Sequence, residues 1–161
     1  MHVYERAFLW LGAVMLVAFL GALGYAGVTM GIELPGRAGT VDPRTVAEQP
    51  PFDDPGVRRL APDRYQVVMI GRAWSFEPSE IRVPAGSEVT FLATTVDVIH
   101  GIHVEDTRVN LMLIPGQVSR NSYRFEEPGE HLMVCHEYCG AGHHVMAGRV
   151  IVEPRESGGA E

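Results

Sequence analysis

Residues 131–152 read HLMVCHEYCGAGHHVMAGRVIV, a loop of possible metal ligands between two short apolar runs. The runs at 131–134 and 148–152 have the length and composition of β-strands. Similar runs precede them, separated by turn signals such as Pro84-Ala85-Gly86 and Pro115-Gly116. These earlier runs cover residues 65–70, 80–83, 88–94, 98–104, 108–114 and 118–125. Together the short strands predict an all-β domain, either a Greek-key β-sandwich or a barrel.

An uncharged segment near the beginning of the chain predicts a membrane anchor. Residues 7–32 are 26 residues without a charge, and a bilayer core of about 30 Å needs roughly 20 helical residues. Trp10 and Tyr25 lie toward its two ends, where interfacial aromatic residues are common. A cleaved signal peptide is the alternative, although its apolar core is typically shorter, about 7–15 residues. We therefore expect one N-terminal transmembrane helix within an anchor of residues 1–33.

Composition predicts the other boundaries. Residues 34–62 are rich in Pro, Gly and charge, which is typical of an extended linker. Residues 63–154 hold the predicted strands and the ligand loop, and residues 155–161 are expected to form a flexible tail. The net charge is −7, from 13 basic and 20 acidic residues. This excess of acid argues against nucleic-acid binding, which needs a basic face.

Four possible ligands lie close together in the loop: Cys135, Cys139, His143 and Met146. His100 and His103 precede them by about thirty residues or more, but distant strand ends can meet at one end of a β-sandwich. Thiolate and thioether sulfur are soft donors which, with imidazole, favour copper. A blue-copper site uses one Cys, two His and a weak Met, whereas two thiolates can bridge a pair of coppers.

Three other interpretations remain open for these residues. Zinc accepts two Cys and two His but rarely Met. A disulfide between Cys135 and Cys139 would leave His143 and Met146 without a role. A redox dithiol, as in copper-delivery proteins with a thioredoxin fold, would need helices that the pattern after residue 63 does not predict.

The loop resembles the copper A (CuA) motif C-x-x-x-C-x-x-x-H-x-x-M of cytochrome c oxidase subunit II. Residues 97–103, DVIHGIH, resemble the upstream segment D-V-x-H-G-F of that family. The similarity runs from about residue 65 to residue 153, and the single predicted span resembles the B-type (ba-type) branch of haem-copper oxidases. The resemblance implies a cupredoxin-like fold for the domain, with a dinuclear copper centre (CuA) as its cofactor.

The resemblance also implies six copper ligands: His100, Cys135, Glu137, Cys139, His143 and Met146. The two Cys would be bridging thiolates, and each of the two His would bind one copper. Met146 would be the weak ligand of one copper and the backbone carbonyl of Glu137 that of the other. In many relatives a Glu side chain here also helps to hold magnesium against subunit I, whereas B-type chains usually have Gln. Glu137 therefore leaves a magnesium site at a subunit interface open.

Four further residues are expected near the centre: Trp74, Phe76, Asp97 and His103. Trp74 and Phe76 fall where the family carries aromatic residues for electron entry, and core packing is the alternative. Asp97 would either orient His100 through a hydrogen bond or cap a turn. From strand alternation, His103 is expected beside the centre or exposed, and not as a ligand.

The function that the resemblance implies is that of the electron-accepting CuA subunit of a haem-copper terminal oxidase. Such a subunit would take electrons one at a time from cytochrome c or a small copper protein. It would pass them to haem in subunit I, where oxygen is reduced to water. The copper domain would lie on the outer, periplasmic side of the cell membrane. Two alternatives stay open: the CuA subunit of a nitric oxide reductase, and a free-standing membrane-anchored copper carrier or copper-delivery protein.

Overall fold

The computed structural model describes residues 2–29 and 38–155. The first part is one α-helix, α1, at Val3–Thr29. After Arg6 its sequence contains neither Pro nor a charged residue, so nothing interrupts the helical hydrogen bonds. Among the residues described, α1 is the one helix long and apolar enough to cross a membrane, and its side chains are exposed on all sides. The predicted apolar N-terminal helix is confirmed.

The second part is a β-domain that forms a compact unit of its own. Its strands are β1 (Gly56–Ala61), β2 (Arg64–Arg72), β3 (Ser75–Glu77), β4 (Glu80–Pro84), β5 (Ser87–Thr95), β6 (His100–Val104), β7 (Asn110–Leu113), β8 (Ser119–Phe125), β9 (Gly129–Val134) and β10 (Ala147–Glu153). One five-stranded sheet has the order β1-β2-β5-β8 with β3 paired to β2, and the other has the order β4-β10-β9-β6-β7. The predicted all-β sandwich is confirmed with every predicted strand present, and β1 and β3 are additional.

The core lies between the two sheets and follows from the alternation of side chains along each strand. On β5, for example, Val89, Phe91 and Ala93 are buried in the core. Phe91 meets Phe125 of β8 edge to face, with ring centroids 6.4 Å apart. Burying a side chain of this size stabilises the fold by about 1.5–3 kcal/mol relative to leaving it exposed.

The outer face of the first sheet is covered by the segment that precedes it, residues 39–55, which we call the strap. Its apolar residues Val41, Val46 and Phe52 are buried against Val68 and Ile70 of β2. Backbone hydrogen bonds join Val118 N to the carbonyl of Gly39 (2.9 Å) and Val41 N to the carbonyl of Gly116 (3.1 Å). The strap therefore belongs to the β-domain.

This arrangement differs from the extended linker expected at residues 34–62. Within the described part of that range, residues 38–62, the chain forms the strap and then β1, which pairs with β2. The Pro-rich composition correctly indicates a lack of long regular structure. However, the three apolar side chains of the strap, spaced five and six residues apart, find an apolar sheet face that composition alone does not reveal.

The outer face of the second sheet carries ion pairs on β4, β9 and β10. Arg149 on β10 lies 3.2 Å from a carboxylate oxygen of Glu80 and 3.3 Å from one of Glu130. This charged face suits direct contact with water, and half-exposed pairs of this kind contribute at most about 1 kcal/mol each.

Of the tail expected at residues 155–161, only Arg155 lies within the described residues. Its guanidinium donates to Asp63 (2.6 Å) and to the carbonyl of Ala85 (3.2 Å), so this first tail residue is attached to the β-domain. The remainder of the predicted tail, residues 156–161, lies outside the described residues.

Candidate metal centre

The ligand loop, residues 135–146, is closed at its base by the two strands that it connects. Val134 of β9 pairs with Ala147 of β10, and Cys135 N donates to the carbonyl of Met146 at 3.1 Å. Within the loop, a short 3₁₀ turn at His143–Val145 redirects the chain before Met146. The first and last possible ligands of the loop are therefore neighbours.

His100 reaches the loop because it begins β6, which pairs with β9 through His103 and Val134. Its imidazole is fully buried, and Nδ1 lies 4.0 Å from Cys135 Sγ. The ligand atoms of His100, Cys135 and Cys139 all lie within 4.8 Å of one another. The structure thus places the distant His beside both thiols, as the sequence predicts.

The two thiols lie side by side without forming a disulfide. Cys135 Sγ and Cys139 Sγ are 3.8 Å apart, and both residues are buried. Metal–thiolate bonds are about 2.3 Å long in zinc sites, so one ion of similar size can touch both sulfurs at this separation. Burial raises the pKa of the Cys139 thiol to about 11, with a further contribution from neighbouring Cys135. A bound metal would displace the thiol protons.

The remaining donors divide between the two sulfurs. Cys135 Sγ has His100 Nδ1 on one side and the carbonyl oxygen of Glu137 at 3.2 Å. Cys139 Sγ has His143 Nδ1 at 3.5 Å and Met146 Sδ at 3.6 Å. Each thiol therefore has its own imidazole and its own weak donor. Two thiols, two imidazoles, a thioether and a carbonyl form a soft donor set that fits copper.

Asp97 holds His100 from the side opposite the thiols. Its Oδ1 lies 2.9 Å from His100 Nε2 and accepts from Val98 N (2.7 Å), while Oδ2 accepts from Ala73 N (2.7 Å). Partial burial acts to raise the pKa of Asp97, but the hydrogen bonds from His100, Ala73 and Val98 outweigh it and lower that pKa overall. The carboxylate is therefore ionised, and its bond to Nε2 leaves Nδ1 free for a metal.

Trp74 packs directly on the ligand loop. Its indole N–H donates to the carbonyl of Cys139 at 3.1 Å, while the side chain remains 44% exposed. A Cβ placed on Gly142 would lie 2.5 Å from Cδ2 and 2.6 Å from Cγ of this ring, so the close approach requires glycine. Trp74 thus joins the surface of the domain to the backbone of a thiol-bearing residue.

The other residues expected near the centre have different surroundings. Phe76 is 3% exposed and packs in the main core, as in the alternative considered for it. His103 is partly buried, and its Nδ1 lies 3.2 Å from the carbonyl of Val109. The one group of at least three His, Cys, Asp or Glu donors found among the described residues does not include His103 or the half-buried Glu137 side chain.

Exposed apolar side chains surround this end of the β-domain. Val98 and Ile99 precede the ligand His100, and Tyr138 and Val145 belong to the ligand loop. Together with Trp74 we call them the apolar rim. This rim is not predicted from the sequence, because exposure cannot be inferred from a short apolar stretch without its neighbours.

The chain is similar to known proteins in both sequence and fold. Residues 71–153 match the family model for the periplasmic domain of cytochrome c oxidase subunit II. The chain is 39% identical to cytochrome c oxidase subunit 2 of Thermus thermophilus, over 93% of this chain and 92% of that protein.

Two solved structures are also similar. One is a chain of a haem-copper terminal oxidase dimer, with a TM-score of 0.77 and 35% identity over 93% of this chain and 99% of that one. The other is the periplasmic domain of subunit II of cytochrome oxidase from Bradyrhizobium japonicum, with a TM-score of 0.52 and 19% identity over 56% of this chain and 84% of that one. The second likeness concerns the fold alone, and it supports the cupredoxin-like assignment.

Proposed function

Since the chain belongs to the cytochrome c oxidase subunit II family, it is the CuA subunit of a haem-copper oxidase, and we propose that its thiols bridge two coppers. The observation that carries this proposal is the division of the donors into two sets. His100 and His143 would each bind one copper, with Met146 as the weak ligand of one copper and the carbonyl of Glu137 as that of the other. Cys135 and Cys139 would belong to both.

Bound copper would supply one-electron oxidation and reduction. The protein's part is to keep the donors in place and to limit the access of water. His100, Cys135, Cys139 and Met146 are each buried. Strand pairing at the loop base, the Asp97 hydrogen bond and the Trp74 contact all fix donors that belong to different segments. A site held in this way needs little rearrangement when its charge changes, which favours rapid electron transfer.

The subunit works with other subunits of the oxidase. We infer that it passes electrons to haem in subunit I, which reduces oxygen to water. The relatives reported above are oxidase subunits, and the chain covers nearly their full length. This favours an oxidase over a nitric oxide reductase or a free-standing copper carrier.

The electron donor is proposed to be cytochrome c or a small copper protein that docks on the apolar rim. Glu137 is the one Asp, Glu, Lys or Arg residue in the ligand loop, so this surface offers little for a strongly charged partner to recognise. Trp74, at once exposed and hydrogen-bonded to Cys139, is the proposed point of electron entry. The buried Phe76 would support the core instead of the transfer.

The protein is anchored by its N-terminal helix and carries an outer-side domain. We propose that the membrane is the cell membrane and that the domain lies in the periplasm.

The carboxylate of Glu137, partly exposed beside the centre, suits magnesium, a cation that prefers oxygen ligands. Such a site would need further ligands from a neighbouring subunit.

The dinuclear centre is tested by loading the full chain with copper and measuring the stoichiometry and the electron paramagnetic resonance spectrum. We expect two coppers per chain and hyperfine coupling to two equivalent nuclei. His143→Ala and Cys139→Ser should each abolish that spectrum. His144→Ala is the matched control, because His144 is the exposed neighbour of His143, and it should leave the spectrum unchanged. One copper per wild-type chain with a four-line spectrum would refute the dinuclear assignment.

A further inference from the structure

Asp97 contacts two segments that lie on opposite sides of it in the sequence. Through Oδ1 it bonds the imidazole of His100, three residues later, and through Oδ2 it accepts from Ala73 N, which is 24 residues earlier. Thr95 Oγ1 also donates to Oδ1, at 3.1 Å. The carboxylate therefore does more than cap its own turn, because it ties the connection between β2 and β3 to the beginning of β6.

The connection that Asp97 holds is the one that carries Trp74. Ala73 is fixed by the carboxylate, and the next residue places its indole over Gly142 and donates to the carbonyl of Cys139. This short segment is thus held between Asp97 on one side and the ligand loop on the other.

These contacts form a closed circuit around the centre. It runs from His100 to Asp97, through the backbone to Trp74, on to Cys139, across the two thiols and back to His100. A displacement of any member changes the contacts of the next. The exposed indole and the buried imidazole are therefore joined by a continuous chain of contacts, although Trp74 is neither a neighbour of His100 in sequence nor part of the ligand motif.

We propose that Asp97 is a positioning residue that holds the exposed indole of Trp74 and the copper ligand His100 in one hydrogen-bonded unit. The inference rests on the proposed copper centre and deepens it. The carboxylate fixes the His100 ring with Nδ1 toward the thiols, as acidic partners of metal-bound His do. Its negative charge also stabilises the more positive, oxidised state of the centre. Removing that charge should raise the reduction potential.

The first test compares Asp97→Asn with Asp106→Asn in the copper-loaded full chain. Both variants remove one negative charge. Asp106 is the control because it lies in the turn after β6, at the opposite end of the strand from His100. We expect Asp97→Asn to raise the reduction potential and to weaken copper binding about tenfold or more, as losses of partners of metal-bound His do. Asp106→Asn should leave both unchanged. Asp97→Glu keeps the charge and should return the potential toward the wild-type value.

The second test follows Trp74 and needs no copper. The chain has two tryptophans, Trp10 and Trp74, so a Trp10→Phe background leaves Trp74 as the single reporter. In the metal-free full chain in detergent, Asp97→Asn should increase the quenching of Trp74 fluorescence by acrylamide. The cause would be the loss of the carboxylate that holds Ala73. Asp106→Asn in the same background should leave the quenching unchanged.

The outcomes separate this proposal from the dinuclear one. A wild-type chain with one copper refutes the dinuclear centre, but the potential and the quenching still decide the role of Asp97. Unchanged potential in Asp97→Asn overturns the positioning role. A raised potential with unchanged quenching overturns the link to Trp74.

Loss of copper from an Asp97→Asn chain with wild-type circular dichroism supports the His100 contact. If Asp97→Asn does not fold, Asp97→Glu decides the link, since its displaced carboxylate should also loosen Trp74.

Discussion

The Trp74 ring packs so closely on Gly142 that even one methyl group has no room there. Gly142→Ala should therefore push the ring away from the loop and lower the free energy of unfolding of the metal-free chain by about 1–3 kcal/mol, as overpacking does. Chemical denaturation measures the change. Trp74 fluorescence should also become more accessible to quenchers.

Gly129→Ala is the matched control for this substitution. A Cβ at Gly129 would meet no atom within 4 Å, so its effect should stay within about 0.5 kcal/mol. Equal effects of the two substitutions would show that the contact between Trp74 and Gly142 contributes nothing beyond the general cost of losing a glycine.

For single residues, the sequence predicts the metal-binding side chains better than it predicts the contacts that hold them in place. A soft metal is indicated by the spacing of four residues, Cys135, Cys139, His143 and Met146, because the donor atoms of these side chains are known from the residue type alone. The bond from Trp74 to Cys139 spans 65 residues and ends on a backbone carbonyl. No side-chain pattern encodes such an acceptor, and only the fold brings the two segments together.

Among the structural elements, the strap should be required for full stability of the β-domain. A full chain with Phe52→Ala should lose about 3 kcal/mol of unfolding free energy in the β-domain, since Phe52 is 2% exposed and its removal leaves a cavity. Val57→Ala on β1, where the side chain is 37% exposed, should cost less than about 1 kcal/mol.

The same reasoning applies to fragments. A fragment that begins at residue 38 should fold and bind copper, whereas one that begins at residue 62 should aggregate or melt at lower temperature. The shorter fragment lacks the strap and β1, and it exposes Val68, Ile70 and Val118. Equal melting temperatures for the two fragments would mean that the strap is a dispensable linker after all.

The sequence of β2 does indicate that its sheet is covered on the outer face. Residues Val67–Ile70 form an uninterrupted apolar run, and all four side chains are buried. A strand with one solvent-exposed face alternates between apolar and polar residues, whereas a continuous apolar run indicates burial on both faces. The run implies that something covers the second face, but it does not say which segment does so. The strap, with three scattered apolar residues among prolines and charges, gives no periodic signal that would identify it.

At the scale of the whole molecule, the apolar rim determines how a donor should respond to salt. The net charge of −7 would suggest steering of a basic partner, but the five side chains of the rim carry no charge, and only the carboxylates of Asp97 and Glu137 stand directly next to them in the sequence. Raising the ionic strength from about 0.01 to 0.1 M shortens the Debye length from about 30 to 10 Å. We expect the second-order rate of electron transfer from the donor to change less than about threefold over that range.

Ile99→Glu should lower the same rate about tenfold, because docking would then bury an unpaired charge. Leu60→Glu on β1 is the control, since Leu60 is also exposed and lies between Arg59 and Ala61, which pair with the beginning of β2, far along the sheet from Ala73. A steep fall of the wild-type rate with salt, together with no effect of Ile99→Glu, would point to docking by charge instead.

The backbone bonds between the strap and residues 116–118 also impose an order on the folding of the domain. Gly39 and Val41 find their partners only in the segment that leads into β8, more than seventy residues later. Contacts of such long range form slowly, because a large loop must close before they can contribute. The first residues of the strap are therefore among the last of the β-domain to complete their contacts. Until β8 has joined the sheet, Gly39 and Val41 lack these backbone partners, and Val118 is missing from the apolar cluster under the strap, so the beginning of the strap stays open to chaperones and proteases.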